Sequence, residues 1–201
     1  MPEVQTVRGP VDVDALGITL MHEHVFVLSE EVRQNYPAGW NEDERVDDAI
    51  VKLDALAALG RQTIADPSVL GLGRDIHRIR RVADGTGLNI IVATGLYTYD
   101  KIPHYFEYRV SRHGSIDPMA QLFIDDITTG ISGTGVKAAF LKCAIDEPGL
   151  TPGVERVLRA VGRDRDMRRP IEGKGGDADE ETLAGRGLHF VIADHEARRR
   201  R

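Results

Sequence analysis

Apolar and polar positions along this chain follow two rhythms, one of period two and one near 3.6, and their order predicts the elements. Residues 4–17, VQTVRGPVDVDALG, read as two short strands about a turn at Gly9 and Pro10. Residues 18–27, ITLMHEHVFV, are an apolar run expected to form the first long strand. After a polar loop holding Tyr36, Pro37, Gly39 and Trp40, the segment from Glu44 to Leu59 sets Val46, Ile50, Leu53, Leu56 and Ala57 at helical spacing, and Gly60 ends it. A short strand is expected over Thr63 to Ser68. A helix follows from Arg74 to about Ala83, with Ile76, Ile79 and Val82 on its buried side. NIIVATGLY, Asn89 to Tyr97, reads as a strand covered on both faces. The remaining expected elements are a helix from about Pro118 to Thr129, a strand from Val136 to Ile145, and a helix from Thr151 to Val161 with Thr151 as cap and Pro152 in its first turn.

Strand and helix alternate four times, and the strands are apolar on both sides, which argues for an α/β fold with a parallel sheet of βα units. In a (β/α)₈ barrel the functional residues gather at the carboxyl ends of the strands. His22, His24, Tyr97 and Lys142 would all lie there. A doubly wound sheet would instead carry a phosphate-binding glycine turn after its first strand, where this chain has its histidine pair.

In a strand, side chains two residues apart share a face, so His22 and His24 would point the same way, roughly 6.5 to 7 Å apart at the backbone. They could share one metal ion, or be hydrogen-bonded core histidines. Glu23 would face away. Lys142 lies inside an apolar strand on the face of Phe140 and Ala144, where desolvation disfavours the ammonium. It either pairs with Asp146 or Glu147 or loses its proton and becomes nucleophilic, able to take up carbon dioxide as a carbamate. Two glycine-rich runs do not complete nucleotide motifs. Ile76 stands where a third glycine would follow Gly71 and Gly73, and Val136 stands where a P-loop lysine would follow Gly135.

Composition narrows the class. The chain has 201 residues, 41% of them hydrophobic, enough for a core. A net charge of −6 disfavours nucleic acid and favours a small-molecule ligand. The single cysteine, Cys143, excludes an internal disulfide and a cysteine-built zinc cluster. No signal peptide and no apolar run of about 18 residues are evident, so a cytoplasmic protein without a membrane span is expected.

Three stretches in register, the lead-in TVRGPVDVDALG before LMHEH, then VATGLYTYDKIPHYF, then LKCAIDEPGLTPGVERVLRAV, resemble the phosphotriesterase-like lactonases of the amidohydrolase superfamily. The resemblance covers residue 4 to about 161 and implies the first four βα units of a TIM-type (β/α)₈ barrel. It implies a hydrolase of lactones and organophosphate triesters with a binuclear centre of two divalent cations, zinc first and cobalt, iron or manganese as alternatives. His22 and His24 would bind the more buried ion, carboxylated Lys142 would bridge the two, and a bridging hydroxide would attack the small-molecule ester. Tyr97 matches a family tyrosine that orients the substrate or the attacking hydroxide, or else is an aromatic packed at a strand end. Tyr99, Ile102, His104, Tyr105 and Phe106 would wall the pocket, with His104 where the family has an aromatic residue.

The family also uses two histidines on its fifth and sixth strands and an aspartate on its eighth, which this sequence does not supply in family surroundings. The expected division is 1–161 as the half barrel and 162–201 as a divergent, irregular Arg/Gly-rich tail, with Leu188 to Ala193 as a strand in it. The abrupt change there suggests a frame shift or a rearranged end. His189 and His195 read as solvated side chains before they read as ligands, Arg198 to Arg201 as a charged end, and His77 and His113 as surface residues. Weak or absent catalysis by the chain alone is one expectation. The alternative to an enzyme is a non-catalytic fragment that binds metal weakly or associates with itself, as a homo-oligomer, through open sheet edges. A deaminase or dihydroorotase branch shares H-x-H, but EPGLTPGVERVLRAV argues against it.

Overall fold

The computed structural model describes residues 2–109 and 116–162, and the backbone of a strand at 190–194. The chain opens with an antiparallel hairpin, β1 (Glu3–Thr6) and β2 (Gly9–Asp12), in the register Glu3 to Asp12 and Thr6 to Gly9. The turn is therefore Val7-Arg8, two residues before the expected Gly9-Pro10. Val7 has a use that displaces it from a strand: its side chain is buried and its N–H donates to Ile90 O at 2.8 Å. Arg8 donates to the carbonyls of Ala83, Thr86, Gly87 and Leu88, tying the hairpin to the loop that leads into the third strand of the main sheet.

That sheet is parallel throughout, in the order β3 (Thr19–Leu20), β4 (Thr63–Asp66), β5 (Asn89–Gly95), β6 (Phe140–Ile145) and β7 (Phe190–Asp194), and it curls into part of a barrel. Helices α2 (Glu42–Ala58), α3 (Ile76–Gly85), α5 (Pro118–Thr128) and α6 (Pro152–Gly162) pack outside it. Their caps follow the sequence. Asn41 accepts from the N–H groups of Asp43 and Glu44, Asp75 from His77 and Arg78, Asp117 from Met119, and Thr151 from Val154. Two short helices, α1 (Glu30–Asn35) and α4 (His104–Tyr108), were not expected.

The alternation on β6 holds. Phe140 joins Ala65, Val69, Ile91 and Ala93 on the inner face, while Leu141 and Cys143 join Met119, Phe123 and Val157 under the helices. Lys142 is thus inward-facing. On the α2 and α3 side Val46, Leu53, Ile76, Ile79 and Val82 pack on Ile64, Ile90 and Val92, matching the helical spacing. β7 pairs with β6 from Leu141 opposite Phe190 to Ile145 opposite Asp194. The strand expected near 188–193 therefore occupies the edge of β6. The rest of the tail, including His189, His195 and Arg198 to Arg201, and His113, lie outside the described residues. No helix among the described residues is long and apolar enough to cross a membrane.

The first strand is far shorter than expected. Beyond Leu20 the backbone bends away at Met21 and His22 and meets the sheet again in the hydrogen bond from Glu23 N to Ala65 O. Val25 and Phe26 still turn into the core, but the backbone groups there are satisfied by the loop after β4: Leu28 N donates to Leu72 O, and Phe26 O accepts from Ser68 Oγ. Met21, 55% exposed, shows that one side of the run faces water. An apolar run reports burial, not the partner of its backbone.

Candidate metal centre

Despite the lost strand, the two histidines meet. Their ring centroids are 5.2 Å apart and the rings are edge-on at 70°. The bend that ends β3 brings them together where strand alternation had been expected to.

His24 is the more enclosed, 23% of its side chain being exposed, and its Nδ1 lies 2.9 Å from Ser68 Oγ and 3.8 Å from Asp66 Oδ1. Burial first, then the charge of Lys142 and then His22, lower its pKa to about 4. The ring is neutral at pH 7, with one nitrogen lone pair to give. Asp66 and Ser68 were not singled out from sequence. The only signal was an Asp at the end of a buried strand, in TIADPS. Burial raises Asp66 to about 6, against the pull of its hydrogen bonds from Ser68 and from the Val25 backbone.

Lys142 sits inside β6, 2% exposed, its Nζ 5.3 Å from the centre of the Tyr97 ring. Burial lowers its pKa, opposed by Cys143 and Asp146. Cys143, pushed up by burial to about 11, remains a thiol at neutral pH. Gly95, at φ +144°, lets β5 run close beside the lysine: a Cβ there would fall 1.8 Å from Lys142 O. The Tyr97 hydroxyl donates to Asp146, and its ring stands edge-on to Tyr99 at 5.7 Å. Burial and Asp146 raise the phenol's pKa, so Tyr97 stays protonated. Of the five residues expected to wall the pocket, Tyr99, His104 and Tyr105 are exposed, but Ile102 and Phe106 are buried in the core with Leu96 and Met119. Helix α4 explains this, because one of its faces must pack on the layer beneath.

Two imidazoles, that of His24 neutral, beside a lysine whose pKa burial lowers form a donor set suited to one side of a divalent metal centre. Among the described residues no group of three or more His, Cys, Asp and Glu side chains is placed to hold a metal ion.

Residues 2–183 match the phosphotriesterase family. The chain is 57% identical over 167 residues to a phosphotriesterase homology protein of Mycobacterium tuberculosis, covering 81% of this chain and 51% of that one. It is 46% identical over 154 residues to an aryldialkylphosphatase of Saccharolobus solfataricus, covering 77% and 48%. The structure of the phosphotriesterase from Mycobacterium tuberculosis superposes with a TM-score of 0.77 at 56% identity, covering 81% of this chain and 51% of that one. The chain spans about half the length of these relatives. A parallel half barrel with its histidine pair and buried lysine inside, matched over most of its length, places this chain in the phosphotriesterase family.

Proposed function

We propose that the chain carries one side of the centre of a metal-dependent hydrolase that cleaves lactones and organophosphate triesters. The observation that carries this is the convergence of His22 and His24 on the face that also holds the desolvated Lys142. The aryldialkylphosphatase relative supports the ester class.

His22 and His24 would hold one divalent cation through imidazole nitrogens, and Lys142 would bridge to a second. The bound cations, zinc first and cobalt, iron or manganese as substitutes, would supply Lewis acidity toward a carbonyl or phosphoryl oxygen. To bridge, Lys142 needs two oxygens. Burial favours the unprotonated Nζ, and that form would add to the carbon of carbon dioxide and release one proton to solvent, giving a carbamate anion. Tyr97 walls this group with its ring and holds its own proton against Asp146. With its one hydrogen committed to Asp146, the phenol does not act as a base.

Elemental analysis of gently purified protein tests the reading. Divalent metal is expected in the parent and lost in His22→Ala, His24→Ala and Lys142→Ala, with lactone and aryl dialkyl phosphate hydrolysis falling alongside. Metal content indifferent to all three substitutions overturns it. A second reading, a non-catalytic chain that binds metal weakly or self-associates, is favoured by the lack, among the described residues, of three His, Cys, Asp or Glu side chains placed to hold a metal ion. Weak metal binding with size that grows with protein concentration would select it.

A further inference from the structure

The hydrogen bonds around Ser68 decide which nitrogen of His24 carries the proton. A serine hydroxyl has one hydrogen to donate and lone pairs to accept with, whereas a backbone carbonyl can only accept. Ser68 Oγ lies 3.1 Å from Phe26 O and 2.9 Å from His24 Nδ1. If the hydroxyl gave its hydrogen to the imidazole, two oxygen lone pairs would face each other at Phe26. With the hydrogen on Phe26 O, Ser68 accepts from His24 and both contacts are satisfied.

A second observation points the same way. Asp66 Oδ1 stands 3.8 Å from the same Nδ1, on the side where an N–H is favoured over a lone pair. Asp66 is 1% exposed, and its Oδ2 has no hydrogen-bond partner among the described residues. Its Oδ1 accepts from Ser68 N at 2.9 Å across Pro67, a local turn that fixes Ser68 beneath the histidine.

We propose that Ser68, held by Asp66, is a positioning residue that locks neutral His24 as the Nδ1–H tautomer and leaves Nε2 as its ligating nitrogen. The tautomer follows from the contacts alone. Its use in metal binding rests on the function proposed above. Imidazole ligands are oriented in this way by the partner of the other ring nitrogen, and loss of that partner costs about 10- to 100-fold in metal affinity.

The test is a nitrogen-15 to proton multiple-bond correlation spectrum of the metal-free whole chain at neutral pH, with His24 assigned by His24→Gln, alongside zinc titrations. A pyrrole-type Nδ1 and pyridine-type Nε2 are expected in the parent. In Ser68→Ala the Nε2–H form should gain population and zinc affinity should fall about 10- to 100-fold, with Ser68→Thr restoring both. A pyridine-type Nδ1 in the parent overturns the proposal, and needs no variant to fold. So does an unchanged tautomer and affinity in Ser68→Ala. The expected tautomer in a parent that binds no zinc would uphold the positioning role and sink the metal reading instead.

Discussion

Lys142 Nζ lies 5.3 Å from the centre of the Tyr97 ring, whose hydroxyl is committed to Asp146. The lysine is thus walled by an aromatic face, with the carboxylate nearest it already shared.

This arrangement has a measurable cost. Because burial lowers the folded pKa of Lys142, the unfolded chain binds the proton more tightly, and stability rises with pH from the folded pKa up to the ordinary lysine value. Lys142→Met should therefore be the more stable form at pH 7 in metal-free, carbon dioxide-free buffer, and its advantage should shrink by pH 10. Urea denaturation of both proteins at the two pH values measures this.

Asp66 carries the opposite sign. Its folded pKa of about 6 lies above the usual 3.8, so its contribution favours the fold at low pH and is lost as the pH rises toward 6. Full ionisation costs about 3 kcal/mol by the same relation. Asp66→Asn should stabilise the chain at pH 7 by up to about that amount and do little at pH 4. His24, lowered to about 4, loses stability as the pH falls toward 4. With the Asp66 term removed, the variant's stability should climb more steeply from pH 4 to 6.5 than the parent's.

Gly95→Ala should be severe. The added methyl meets the Lys142 carbonyl, and the backbone at φ +144° disfavours any side chain. A loss of about 3 kcal/mol is expected from overpacking, with β5 and β6 parted at the lysine. Thermal unfolding and metal content of the variant check both effects.

The segment that carries the histidines is latched by Arg78. This guanidinium, 2% exposed, pairs with Glu30 and Glu42 at 2.7 Å each and lies 5.1 Å from the centre of the Trp40 ring and 5.4 Å from that of Phe26. Arg78→Ala removes the buried cation from Glu30, Glu42 and Asp75 and leaves Arg33 alone beside the first two, a loss of about 3 kcal/mol. Trp40 is the only tryptophan in the chain. Its emission should shift to the red in the variant, reporting the release of the segment.

The helices were legible because periodicity is a local property: Ile76, Ile79 and Val82 sit on one face whatever lies opposite. The inward placement of Lys142 was legible for the same reason, since alternation within β6 does not depend on its neighbours. The histidine pair was found by an argument whose premise failed. A strand over 18–27 would have aligned the rings, but the run is apolar because Val25 and Phe26 pack beside α3, and a bend aligns them instead. Ile102 and Phe106 were misplaced because nothing local separates a pocket wall from the buried side of a short helix and the residues leading into it. Asp66 and Ser68 stayed hidden because their meaning lies in contacts to residues more than forty positions earlier.

Arg8 grips carbonyls that exist in their final places only after α3 has ended and β5 has begun. The hairpin therefore takes its seat only on a surface built by residues 75 to 80 positions further along the chain, and its docking reports that α3 and β5 are already in place.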